Sequence, residues 1–172
     1  MKYDTIIAID PGISNGGLTV LRDGKLTCYK LSKLKDFTDL KDVLMRYKEI
    51  SDNPICFIED VGNLRPSDLV DFKAYNIQKL GRHVEMLKNI MHFIGIPFVM
   101  VHAKSWQSYL KLKGPKGETD TDRKNRYKTA AGIYFKTVKP TLWNADALLI
   151  LVFGFRKVNQ EPDWVEDRIC RN

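Results

Sequence analysis

The chain has 172 residues, 44% of them hydrophobic and 28% charged, and its 28 Lys and Arg outnumber 21 Asp and Glu for a net charge of +7. That length fits one domain with its own core, and the composition is that of a soluble globular protein rather than a low-complexity or repeat chain. No apolar run approaches a membrane-spanning length and no basic leader with a cleavage site opens the sequence, so a cytoplasmic or nuclear protein without membrane contact is expected. Cys28, Cys56 and Cys170 are odd in number and lack a C-x-x-C spacing, which suggests neither a disulfide framework nor a zinc site.

The first element is the run Thr5-Ile6-Ile7-Ala8-Ile9, too short for a globular helix and rich in β-branched residues, hence a buried strand. Asp10-Pro11-Gly12 stops it and turns the backbone, leaving the Asp10 carboxylate at the strand's end, facing a cleft. Ser14-Asn15-Gly16-Gly17 leads to a second strand from Leu18, and Asp23-Gly24 turns into a third at Lys25 to Tyr29, an antiparallel meander. The small residues after Asp10 also allow a large ligand's backbone to come close to the carboxylate.

Phe37 to Ile50 carries Leu40, Val43, Leu44 and Tyr47 at helical spacing. The apolar run Ile55-Cys56-Phe57-Ile58 follows and ends on Glu59-Asp60. A helix between two strands suggests a crossover that lays this strand parallel beside the first, with Asp10 and Glu59 at one C-terminal edge, where open α/β sheets bind ligands. Gly62 to Leu69 reads as a loop. Leu80, Val84, Leu87, Met91 and Ile94 step by four and three residues and define a long helix with one apolar stripe, fit for core or for core plus a subunit contact.

Gly95 stops that helix, Pro97 to Val101 forms another buried strand, and His102 ends it. His83, His92 and His102 read as surface or hydrogen-bonded histidines. Lys104 to Leu112 is a short helix with Trp106 and Tyr109, Lys113 to Asp120 a loop, and Thr121 or Asp122 caps the helix that follows. Between Lys104 and Lys139 ten Lys and Arg stand against three Asp and Glu, an excess of seven that equals the whole chain's net charge. So concentrated a basic surface favours a polyanion, and nucleic acid before a membrane. Lys104, Lys111, Lys113, Lys116, Arg123, Lys124, Arg126 and Lys128 are the residues to hold its phosphates without reading bases. The last apolar helix spans roughly Ala145 to Phe155, so the domain runs over 1–158 and 159–172 read as a polar tail.

Asp146, in the first turn of that last helix and capped by Asn144, is a third acid at the mouth of an apolar element. Three carboxylates on separate segments repel one another unless a cation neutralises them, and all-oxygen donors select Mg²⁺ or Mn²⁺. With a basic surface nearby, the matching reaction is phosphodiester hydrolysis, with Asp10, Glu59 and Asp146 as catalytic and metal-binding residues.

Asp10-Pro11-Gly12 with its following glycines, Glu59 closing a strand, and Asp146-Ala147-Leu148-Leu149-Ile150 opening the last helix resemble the RuvC-type Holliday junction resolvases. The resemblance extends over nearly the whole chain and includes Trp106-Gln107 ahead of the basic region, as in phage-type members. It implies a ribonuclease H-like α/β fold, a homodimer, two Mg²⁺ or Mn²⁺ ions, paired nicks across a four-way DNA junction, and residence in the cytoplasm of a bacterium or phage-infected host. One position departs from the pattern: bacterial members usually carry a further acid or histidine one turn before the last Asp, where this chain has Trp143. Asn144 or Asp60 are the alternatives for a fourth ligand, or water. Rival readings are a nuclease for RNA–DNA hybrids and a junction-binding architectural protein without catalysis. A sugar-kinase or actin-like ATPase half needs a second phosphate-binding glycine loop that the sequence lacks.

Overall fold

A computed structural model describes residues 2–12, 14–34, 37–61 and 74–170. The loop expected at Gly62 to Leu69 lies outside them. Five strands, β1 (Thr5–Asp10), β2 (Gly17–Arg22), β3 (Lys25–Lys30), β4 (Pro54–Asp60) and β5 (Phe98–His102), form one sheet in the order β3-β2-β1-β4-β5. β1, β2 and β3 are the antiparallel meander, while β4 and β5 run parallel to β1. The helices are α1 (Phe37–Glu49), α2 (Ala74–Ile94), α3 (Ala103–Tyr109), α4 (Asp120–Tyr134), α5 (Ala145–Gln160) and α6 (Pro162–Glu166). α1 links the meander to β4, as a parallel neighbour requires.

The inner strands are apolar on both sides because both sides are covered. Ile6, Ala8, Ile55, Phe57, Val99 and Val101 pack with Trp106, Tyr127, Ala131 and the apolar residues of α5. Ile7, Ile9, Cys56, Ile58 and Phe98 pack instead with Leu40 and Leu44 of α1 and Leu87, Ile90 and Met91 of α2. Of the stripe expected on α2, Val84, Leu87 and Met91 are buried and Leu80 and Ile94 only partly so. None of the helices among the described residues is long and apolar enough to cross a membrane.

α5 lies hard against β4. A Cβ added at Gly154 would sit 2.5 Å from the Phe57 ring. Gly154→Ala gains about 1 kcal/mol of helix propensity but overpacks at a cost of about 1–3 kcal/mol. The variant is expected to unfold at lower urea concentration than the wild type; an equal or higher midpoint would contradict the close approach.

Two expectations need correction. α4 begins at Asp120 rather than beyond it, because Thr119 is the N-cap and its hydroxyl accepts from the Asp122 amide at 3.2 Å. The supposed polar tail is folded. α5 runs on to Gln160, Val165 of α6 is 1% exposed, and the Cys170 amide donates to the Phe98 carbonyl at 2.8 Å. Average polarity misled here, since Lys157 is turned inward, 7% exposed. Its ammonium stands 4.6 Å from the Tyr109 ring centroid and 4.9 Å from that of Trp164, and pairs with Glu161. Rings and carboxylate together offset the burial of that charge.

Candidate active site

β1 delivers Asp10. Ile9 lies opposite Ile58 in the parallel register, so Asp10 and Glu59 are the next residues on neighbouring strands. The turn after β1 is tied in three places. Asp10 Oδ1 accepts from the Gly12 amide at 3.1 Å, the Gly16 amide donates to the Gly12 carbonyl at 2.7 Å, and His83 Nδ1 lies 2.7 Å from the Pro11 carbonyl. The glycines are required by the protein itself. A Cβ at Gly16 would fall 2.0 Å from the Gly12 oxygen, and one at Gly17 would fall 2.8 Å from the Trp143 carbonyl where α5 begins.

Glu59 is held by a residue whose role the sequence does not announce. Trp106, 1% exposed, donates its indole N–H to Glu59 Oε1 at 3.0 Å. The indole is itself braced edge-on by Tyr127, 5.3 Å away between ring centroids. A buried Trp on an otherwise polar short helix was the available signal, since its N–H demands an acceptor. The next residue, Asp60, pairs with His102 at 3.1 Å across the β4–β5 register.

Asp146 stands in the first turn of α5, as expected, but Asn144 does not cap it with its side chain. Asn144 is 2% exposed and its Oδ1 accepts from the Thr141 amide at 2.6 Å and the Thr141 hydroxyl at 3.0 Å. Of the two side chains considered for a fourth ligand, Asn144 is thus engaged with Thr141 and Asp60 with His102.

The three carboxylates interact. Burial pushes Asp10 well above the usual carboxylate range, with Glu59 and Asp146 adding to the rise. Glu59 is pushed up to about 7, first by burial and then by Asp146, against the Trp106 hydrogen bond and Arg123. Asp146 rises to about 6 through burial, against Arg123 and Lys124. Each keeps a partial opening to solvent. Among the described residues no three ligating side chains close into a cage around one point. The acids sense one another without being drawn together.

That electrostatic strain makes the metal-free protein pH-sensitive. The folded-state values lie above the ordinary values of 3.8 for Asp and 4.5 for Glu. The stability these groups contribute is therefore complete below about pH 4 and lost as pH rises through 6 to 7. Each of Glu59 and Asp146 accounts for up to about 3 kcal/mol of that loss. In EDTA, the wild-type Tm is expected to fall between pH 4.5 and 7.5 and that of Glu59→Gln to fall less; parallel curves would contradict the coupling.

The basic residues divide into two groups. Arg123 and Lys124, near the start of α4, are close enough to depress Asp146, with Arg123 also acting on Glu59 and Lys124 on Asp10. Lys104, Lys111, Lys113, Lys116 and Lys128 are exposed and enter no ion pair among the described residues. Arg126 differs from these lysines in being engaged within the protein. Its guanidinium forks onto Glu118 at 2.7 and 2.6 Å, also donates to the Leu112 carbonyl, and stacks on Tyr127. It fastens the loop between α3 and α4, and Gly114 leaves room for the fork, since a Cβ there would lie 2.1 Å from Glu118 Oε2.

The sheet order, the helices on both faces and the acids at one edge define a ribonuclease H-like α/β fold. The chain is similar to T. thermophilus RuvC in complex with Holliday junction substrate, with a TM-score of 0.61 and 16% identity over 91% of this chain and 96% of that one. A second Thermus thermophilus RuvC structure gives a TM-score of 0.52 and 17% identity over 90% and 95% of the two chains. No family model and no curated protein matches the sequence. The likeness shown is thus one of fold, and it is the RuvC-like fold that the motifs led us to expect.

Proposed function

We propose that this protein is a metal-dependent endonuclease that nicks four-way or other branched DNA symmetrically during recombination or DNA processing. The observation that carries the proposal is that Asp10 and Glu59 lie at the ends of neighbouring strands with Asp146 of α5 within electrostatic reach of both, beside Arg123 and Lys124. Three buried carboxylates, of which Asp146 raises Glu59 and both raise Asp10, with no Cys or His among them, suit a hard divalent cation such as Mg²⁺ or Mn²⁺. Bound between Asp10, Glu59 and Asp146, such ions would supply activation of water and neutralisation of charge at the scissile phosphate.

The chain's own residues do the rest. Trp106 holds one oxygen of Glu59 and leaves the other available. Arg123 and Lys124 attract a phosphodiester toward the acids, and Lys104, Lys111, Lys113, Lys116 and Lys128 follow backbones away from the branch. On this reading the lysines hold backbone phosphates without reading base edges, so selectivity rests on DNA shape. A symmetric dimer with α2 at its contact belongs to the same reading, because matched cuts require two sites related by a two-fold axis. Phe93, 76% exposed near the end of α2, is apolar surface that such a contact would cover.

The test is a cleavage assay on a synthetic four-way junction, linear duplex, a flap and an RNA–DNA hybrid, with Mg²⁺, Mn²⁺ or EDTA, alongside the solution mass with and without junction. Paired, metal-dependent nicks confined to branched DNA by a dimer are expected. Preferential cutting of the hybrid's RNA strand, binding without cutting, or a strict monomer at micromolar concentration would each overturn part of the reading.

A further inference from the structure

His83 belongs to α2 and to no part of the acidic cluster, yet its imidazole reaches the turn that carries Asp10. Its Nδ1 lies 2.7 Å from the Pro11 carbonyl oxygen. A carbonyl only accepts, so Nδ1 carries the proton there and Nε2 is left as the other ring nitrogen. Pro11 has no N–H, so this carbonyl is the residue's one polar backbone group. The other two ties of the turn, Gly12 amide to Asp10 Oδ1 and Gly16 amide to the Gly12 carbonyl, are internal to the segment. His83 alone among the hydrogen-bonding side chains described there fastens the turn to a packed helix, on which Val84 and Leu87 are buried. The turn's far end is joined outward by backbone alone, where the Leu31 amide donates to the Gly16 carbonyl at 3.0 Å, so beside Pro11 the His83 ring is the outside tie.

We propose that His83 is a positioning residue for Asp10, acting through an Nδ1–H hydrogen bond to the Pro11 carbonyl that fixes the turn and thereby the direction of the carboxylate. The proposal rests on the reading of Asp10 as a metal-binding acid. It further ties the site to α2, so that whatever α2 packs against bears on Asp10. Removing a comparable outer partner of a ligand typically costs about 10–100-fold in metal affinity or activity.

The discriminating pair is His83→Asn and His83→Gln. The Asn side-chain amide places its N–H near the position of Nδ1, whereas the Gln amide reaches toward that of Nε2. We expect Asn to bind Mn²⁺ within about threefold of wild type in calorimetry without DNA, and Gln and His83→Phe to bind roughly tenfold or more weakly. With saturating Mn²⁺ and junction DNA, kcat should fall in Gln and Phe while KM for DNA holds. Equal behaviour of Asn and Gln at matched Tm, or wild-type affinity in Phe, overturns the proposal. A ¹⁵N spectrum of the wild-type imidazole reads the tautomer independently: protonation at Nε2 alone overturns it, protonation at Nδ1 supports it. If the wild type binds no Mn²⁺ and cuts no branched DNA, the nuclease reading fails, and the clamp is still judged by that tautomer and by whether the Gly12 amide shift moves in Gln but not in Asn.

Discussion

Asp10→Asn, Glu59→Gln and Asp146→Asn are each expected to abolish junction nicking while leaving junction binding intact or tighter. Each change keeps the side chain's shape but removes a negative charge from a cluster whose members all have raised pKa values, chiefly through burial. Losing one carboxylate of three weakens the hold on a divalent cation, so cleavage should fall at least about a thousandfold, equivalent to ~4 kcal/mol of lost transition-state stabilisation. Binding moves the other way because phosphates approach a less negative edge. The metal-free variants should also melt higher than wild type at pH 8, which separates loss of chemistry from loss of fold. Single-turnover nicking with a gel-shift titration on the same junction is the measurement, and full activity in any variant would remove that residue from the site.

The second large effect is expected from the basic segment. Replacing Lys113, Lys116, Lys124 and Lys128 together by Ala removes up to four phosphate contacts and should flatten the slope of log K against log salt by roughly 3 to 4. Affinity should fall alike for all DNA sequences, by about a hundredfold at low salt. Arg126→Ala should behave differently despite carrying the same charge change. Its guanidinium is taken up by Glu118, Leu112 and Tyr127, so its loss loosens the loop and lowers Tm with little direct change in the salt slope. A quadruple variant that loses affinity for one DNA sequence only would show base reading instead.

Much of the architecture was legible because its residues obey one rule at a time. Ile6 to Ile9 and Ile55 to Ile58 are unbroken apolar runs that only strands covered on both faces explain, and each ends on an acid. The registered neighbours Ile9 and Ile58 then bring Asp10 beside Glu59 with no further assumption. What spacing did not carry were contacts with distant partners. Arg126 looks like any other cation until Glu118 is seen across a turn. Asn144 has the side chain of a cap and spends it on Thr141. Trp106 and His83 act on Glu59 and Pro11 from helices far along the chain, and spacing carries no sign of such contacts. Trp164 and Val165 are two apolar residues in a charged segment, too few to register by composition, yet Val165 is buried and the Trp164 ring stands against the Lys157 ammonium.

The packing of α5 against β1, β2 and β4 also sets an order of events during synthesis. β1 leaves the ribosome well before α5, so the sheet face formed by Ile6, Ala8 and Phe57 stays without its α5 cover until that helix has been made. Such late, long-range closure is slow and leaves sticky surface on a nascent chain, a natural client for a chaperone. The same delay separates Asp10 from Asp146 in time. On the proposed reading, a polypeptide that already bears its basic loop would hold nucleic acid before the acids are assembled, and cutting would wait for α5.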